Sequence, residues 1–71
     1  MDIGEKIDEW FTYHAPSPED VVAYQAIRDQ AKTLARVIVT LTPASADQTT
    51  ALRKLRECVM TANAAIACKG V

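Results

Sequence analysis

The residues most suited to ligand chemistry are two adjacent rings, Tyr13 and His14, followed by three regularly spaced cations. The cations are Arg28, Lys32 and Arg36, and their spacing of four places them on one face of a helix. An aromatic ring stacks on a nucleobase, whereas arginine and lysine bind phosphate. The set is therefore typical of a site for a phosphorylated ligand that contains a base. The residues alone favour a plainer interpretation, in which the rings join two helices beside a solvated charged face.

A second polar set lies further along the chain and consists of Arg56, Thr61 and Asn63. Repeated around an oligomer, these side chains can line a second polar pocket. Asn63 also lies close to the predicted apolar face of its helix. An asparagine in that place most often sets the packing register, through a hydrogen bond to its own copy or to the backbone. Both interpretations stay open at this level.

Motifs for catalysis are missing from the sequence. Gly4 and Gly70 are the only glycines and cannot form a glycine-rich phosphate loop, and no recognisable motif places a nucleophile beside His14, the single histidine. One histidine without a CxxC pair does not make a zinc site. A net charge of −1 argues against DNA binding. We therefore predict a protein that is not an enzyme and that uses no metal or cofactor.

Three amphipathic helices are predicted to position the polar groups, over residues 2–11, about 18–41 and about 46–68. Ser17 and Ser45 are the expected N-caps, with backbone N–H donors free for an anion after Ser17 and with Gln48 completing a capping box. Gly70 is the expected C-terminal stop of the third helix. The second and third helices carry apolar seams with steps of three and four: Tyr24, Ile27, Ala31, Leu34, Ile38, Leu41, and Leu52, Leu55, Val59, Ala62, Ile66. Matching seams and a short connection predict an antiparallel hairpin.

Length and composition predict a single domain, residues 1–71, that associates with itself. A chain of 71 residues has a net stability of only about 3–5 kcal/mol without help. Cys58 and Cys68 lie about 15 Å apart on one predicted helix, too far for a disulfide, so we expect two free, buried thiols. Six apolar residues lie partly off the seams and predict packing against other copies: Val21, Val22, Val37, Val39, Met60 and Ala64.

The sequence contains no apolar stretch near the 20 residues of a membrane span and no recognisable signal peptide. We therefore expect no membrane association.

Several segments together resemble a known family. They are FTYHAP at 11–16, YQAIRDQAKTLA at 24–35, LTP at 41–43, SAD at 45–47, ALRKLR at 51–56 and MTANAAIA at 60–67. The pattern is similar to that of the phage anti-CBASS cyclic-oligonucleotide sponges, whose helical-hairpin domain also occurs in an anti-Thoeris sponge family. The resemblance covers nearly all of the chain after Trp10.

The resemblance implies an all-α protein, an antiparallel helical hairpin with a short N-terminal helix, that assembles into a homo-oligomer, a hexamer in the family. It implies binding of cyclic dinucleotides such as cyclic GMP–AMP without cleavage, so that a bacterial immune effector in the host cytoplasm loses its activator. Some members also hold cyclic trinucleotides in a separate pocket. The alternative is a structural or assembly module without a small-molecule ligand.

The resemblance also suggests which residues meet the ligand. In the family, a tyrosine near the N-terminus stacks on a base and a basic residue of the following helix meets phosphate. Tyr13 matches the first, with His14 beside it, and either Arg28 or Lys32 matches the second. The trinucleotide pocket would fall on the third helix, at Arg56, Thr61 and Asn63. The chain departs from the family in two places, with Thr61 where an aromatic residue is frequent and Ala15 in place of a proline.

Overall fold

Three α-helices make up the fold in the computed structural model, which describes residues 2–71. They are α1 (Ile3–Trp10), α2 (Pro18–Leu41) and α3 (Ala46–Ala67). The predicted all-α class is confirmed, since residues 2–71 contain no strand. Met1, the first residue of the predicted domain, lies outside the described part of the chain.

Among the described helices, none combines the length and the apolar character that crossing a membrane requires.

Side-chain caps determine where the helices begin. The Ser17 hydroxyl accepts from the Asp20 N–H at 3.1 Å, and the Asp20 carboxylate accepts from the Ser17 N–H at 3.0 Å, which completes a capping box on α2. The Ser45 hydroxyl caps α3 by accepting from the Gln48 N–H at 3.1 Å. Gln48 does not complete a second capping box as predicted. Its side-chain amide donates to the Thr42 carbonyl at 3.1 Å instead, so it ties the connection to the end of α2.

Helices α2 and α3 pack against each other along their length. Residues near the end of α2 lie beside the start of α3, and residues nearer the start of α2 lie beside the later part of α3, as an antiparallel hairpin requires. The predicted seam is wrong for Leu34 and Leu41, which are 48% and 76% exposed. Ala35 takes the place of Leu34, because a straight helix repeats every 3.6 residues and drifts away from a strict heptad seam. The facing residues are half-buried: Tyr24, Ile27, Ala31, Ala35 and Ile38 of α2, and Leu52, Leu55, Val59, Ala62 and Ile66 of α3.

A single chain encloses almost no core. Its extents are 44 × 28 × 15 Å, so the hairpin is one helix layer thick. Cys68, 6% exposed, is the only buried residue among residues 2–71. Cys58 is free but exposed, against the prediction that it is buried, because it lies beside the seam and not on it. Large apolar side chains therefore remain at the surface, which is typical of a chain that is stabilised by association.

The last turn of helix α1 is bonded to the end of the chain that follows α3. The Trp10 indole N–H donates to the Val71 carbonyl at 2.9 Å. The chain reaches this position because Lys69 and Gly70 both adopt positive φ, 52° and 79°, and reverse its direction. The Gly70 N–H donates to the Ala65 carbonyl at 2.9 Å, as in a Schellman motif, so the predicted stop at Gly70 is confirmed. The predicted apolar face of α1 is not buried within the chain.

Candidate functional site

One groove between α2 and α3 collects cations from both helices. Arg28 and Lys32 of α2 and Arg56 of α3 line it, and its volume is about 320 Å³. Its base is apolar and includes Leu55 and Val59 of the seam. We call this the basic groove. The structure thus brings together residues that the sequence assigned to two different ligands, because the hairpin register places Arg56 opposite the Arg28–Lys32 turn.

The cations of the basic groove differ in whether they already have hydrogen-bond partners within the chain. Arg28 donates to the Gln25 side-chain oxygen at 3.0 Å, and the Gln25 amide in turn donates to the Asp29 carboxylate at 2.8 Å. These bonds orient the Arg28 guanidinium. Lys32 and Arg56 form no ion pair or side-chain hydrogen bond within residues 2–71. Their charges are exposed, and both are available to an anion.

Tyr13 lies outside the basic groove. It belongs to the irregular segment 11–17 and is 84% exposed. The groove is lined by α2 and α3 alone. The loop that carries Tyr13 precedes Pro18, the first residue of α2. Helix α2 rises about 15 Å between Pro18 and Arg28, so nearly three helical turns separate this loop from the groove. The structure does not bring the predicted base-stacking ring and the predicted phosphate ligands together in one chain.

His14 is engaged with α1. Its Nε2 lies 2.7 Å from the Glu9 carbonyl oxygen and 3.6 Å from the Glu9 carboxylate. The side chain is 26% exposed. The ring nitrogen nearest to Glu9 therefore already has a hydrogen-bond partner within the chain.

The start of α2 is not the open anion site that the sequence suggested. Pro18 has no N–H, and the Ser17 and Asp20 side chains occupy the first turn. The Ser17 backbone N–H donates to the Asp20 carboxylate and holds the pKa of Asp20 below its usual value, with the Ser17 hydroxyl and Lys69 acting in the same direction against partial desolvation. Asp20 therefore stays negative at neutral pH and repels an approaching anion.

Within one chain, Thr61 lies apart from Arg56 of the second predicted set. Arg56 lines the basic groove, whereas Thr61 lies in a pocket of about 270 Å³ with Trp10 and Val71. Five residues on a helix correspond to a rotation of about 140°, so Arg56 and Thr61 face different sides. The side-chain oxygen of Asn63 is buried without a hydrogen-bond partner, the one such atom found in residues 2–71. The predicted bond from Asn63 to backbone is therefore not made through this oxygen.

The opposite side of the hairpin carries an apolar groove that sequence analysis did not identify. Its volume is about 380 Å³, and Leu34 and Cys58 line it on either side of the seam. One feature of the sequence indicated this groove. Leu34 continues the heptad pattern of α2, and a straight helix cannot keep every residue of such a pattern in contact with one partner helix. The other residues of this apolar groove are Ala26, Ile27, Gln30, Ala31, Leu55, Val59 and Ala62. Cations thus line the groove on one side of the hairpin and not the groove on the other side.

Comparison with known proteins gives one match. The family model described as Acb2/Tad1, hairpin domain, matches residues 4–67. No curated protein and no solved structure matches the chain. The matched range covers all three helices except the first residue of α1, and it agrees with the resemblance that the sequence segments carry. The chain therefore belongs to the Acb2/Tad1 hairpin-domain family.

Proposed function

We propose that this protein is a non-enzymatic sponge that sequesters cyclic dinucleotides and thereby blocks bacterial CBASS anti-phage immunity. The observation that carries the proposal is the basic groove, where Lys32 and Arg56 have no ion-pair partner among residues 2–71 and lie beside an oriented Arg28, in a chain of a sponge family. The whole chain, residues 1–71, would act as one binding domain. It would work in the cytoplasm of the bacterial host, where the immune signal is made.

The ligand chemistry fits these groups. A cyclic dinucleotide has two phosphates and two bases, so a two-fold arrangement of chains would offer one cation and one ring to each half. Lys32 is the better candidate for the main phosphate contact, because one side of the Arg28 guanidinium is already bonded to Gln25. Stacking of Tyr13 on a base contributes about 1–3 kcal/mol per base. Two stacks contribute about 2–6 kcal/mol and two phosphate contacts about 3–6 kcal/mol. Nanomolar affinity corresponds to about 12 kcal/mol and therefore requires the upper end of both ranges.

The proposal requires a homo-oligomer, which we expect to be a hexamer as in the family. Two features of the described residues support assembly: the separation of Tyr13 from the basic groove, and the apolar groove on the opposite side. The additional pocket for cyclic trinucleotides would then draw Thr61 from a different copy than Arg56 and Asn63, since Thr61 lies on another side of α3.

Titration calorimetry with cyclic GMP–AMP, followed by a panel of cyclic di- and trinucleotides, tests the function. Ligand at 100 times its Kd stabilises the bound state by about 2.7 kcal/mol, which corresponds to a rise in Tm of at least about 10 °C for a chain of this size. The ligand recovered after heating should elute unchanged on chromatography, because a sponge does not cleave it.

The alternative function is an assembly module without a small-molecule ligand. The exposed apolar groove is the observation that favours it, since such a surface serves assembly whether or not a nucleotide binds. This alternative predicts a stable oligomer whose Tm is unchanged by every cyclic oligonucleotide of the panel. A thermal shift with any of them would exclude the assembly module, and a uniform absence of shifts would exclude the sponge.

A further inference from the structure

We propose that His14 is a positioning residue that fixes the direction of Tyr13 by clamping the loop onto the end of α1, and that it does not contact the ligand. The inference rests on the proposed function, because it assumes that Tyr13 stacks on a base. It gives His14 a joining role, which the residues alone favoured, and not the ligand contact that the resemblance suggested. The clamp is visible in the hydrogen bonds of the chain itself.

The loop folds back over the last turn of α1 through three consecutive carbonyl groups. The Phe11 N–H donates to the Ile7 carbonyl at 3.0 Å. The Thr12 hydroxyl donates to the carbonyl of Asp8, and the His14 ring bonds the carbonyl of Glu9 at 2.7 Å. The first is the regular backbone bond of the last helical turn, whereas the Thr12 and His14 side chains bond carbonyls that a helix end leaves without backbone partners.

Tyr13 is therefore held on both sides while its own ring remains free. Thr12 before it and His14 after it are both bonded to α1, whereas the Tyr13 ring is 84% exposed and forms no hydrogen bond within residues 2–71. A ring whose backbone is fixed on both sides loses less conformational entropy when a base stacks on it. Such preorganisation increases affinity without any additional contact.

The clamp is also tied to the hairpin. The Glu9 carbonyl that meets His14 is within 3.7 Å of the buried Cys68 thiol, and Trp10 donates to the Val71 carbonyl at 2.9 Å. Fixing the loop on α1 thus fixes the loop relative to the end of α3. Without the His14 bond, residues 13–16 would be anchored only at their two ends.

The surroundings of the His14 ring argue against a direct phosphate contact. The Nε2 atom must donate a proton to the Glu9 carbonyl oxygen, so this donor is used within the chain. The Glu9 carboxylate lies 3.6 Å from the same atom and would repel a phosphate that approached it. Both effects leave Tyr13, and not His14, as the ligand-facing residue of the loop.

A matched pair of variants, His14→Gln and His14→Asn, tests the inference. The glutamine amide reaches about as far as imidazole Nε2 and can donate to the Glu9 carbonyl, whereas the asparagine amide is one carbon shorter and cannot. We expect His14→Asn to weaken binding of cyclic GMP–AMP at least tenfold in calorimetry, and His14→Gln to bind within about threefold of the parent. Helicity by circular dichroism should be the same in both.

Fluorescence gives an independent readout, because Trp10 is the only tryptophan and belongs to the clamped end of α1. We expect its emission to shift to longer wavelength in His14→Asn and to stay at the parent value in His14→Gln. Tyr13→Ala is the control: it should lose binding while the Trp10 emission is unchanged.

Two results would overturn the positioning role. The first is parent-like affinity in His14→Asn, and the second is equal loss in both variants with unchanged Trp10 emission, which would make His14 a direct contact. A parent protein that binds no cyclic oligonucleotide would instead refute the proposed function, and the inference with it. The emission of the two variants, measured without ligand, would still decide whether His14 holds the end of α1.

Discussion

Removing the positive charge of Lys32 is the most direct perturbation of the basic groove. Lys32→Gln keeps a long, polar, helix-compatible side chain and deletes only the ammonium group. Lys32 has no ion-pair partner within residues 2–71 and is exposed, so the substitution leaves no buried charge uncompensated. We therefore expect the free energy of unfolding without ligand to change by less than about 0.5 kcal/mol.

The effect on binding should be much larger. A hydrogen bond to a charged group contributes about 1.5–3 kcal/mol. A cyclic dinucleotide that meets Lys32 from two chains would lose two such bonds. Taking the lower bound for each, because the ammonium is solvated in the free protein, gives about 3 kcal/mol. That corresponds to an increase in Kd of about 100-fold.

Arg36 supplies the matched control. It follows Lys32 by one helical turn on the same cationic face, but it lines a different depression with Val39 and Thr40 and not the basic groove. Calorimetry of Lys32→Gln and Arg36→Gln with cyclic GMP–AMP is carried out at one fixed salt concentration. The comparison separates a direct contact of Lys32 with the ligand from the long-range attraction that any nearby positive charge exerts on an anion. Equal losses in both variants would refute the groove argument, as would a Lys32→Gln protein that binds like the parent.

Two further predictions concern assembly and stability. Leu34→Glu should place a charge in the apolar groove and reduce the oligomer to smaller species in light scattering, whereas Thr33→Glu, the exposed neighbour, should not; an unchanged oligomer in Leu34→Glu would show that the groove is not an interface. The capping contribution of Asp20, whose folded-state pKa is lowered, should be fully present above the ordinary carboxyl pKa of about 3.9 and be lost as the pH falls through the folded-state pKa. In urea unfolding, Asp20→Asn should thus be less stable than the parent at pH 7, with the difference starting to shrink near pH 4 and disappearing only once the pH lies below the lowered folded-state pKa; a difference in stability that does not change with pH would contradict this assignment.

Local signals in the sequence were sufficient to predict where the helices begin and end. Ser17, Pro18 and Ser45 mark helix starts because capping bonds join residues only three apart, and Gly70 marks an end because it readily adopts positive φ. The bounds of α1, α2 and α3 agree with the predicted ranges to within one residue. The hairpin followed from matching apolar patterns and a short connection.

The arrangement of the candidate site depended on contacts that the sequence does not encode locally. Only the packing register of two helices places Arg56 beside Arg28 and Lys32. The bond from His14 to the Glu9 carbonyl depends on how the loop folds back over α1.

The sequence by itself determined the three helices, their caps and the pairing of the two long ones, because these features depend on side chains within a few residues of one another. The tertiary structure decided which cations share a groove and how the Tyr13 loop is clamped. It also decided that Ala35, and not Leu34, faces α3. The physical reason is that the rotation of one helix against another is set by the close packing of the whole interface, and no local pattern specifies that rotation.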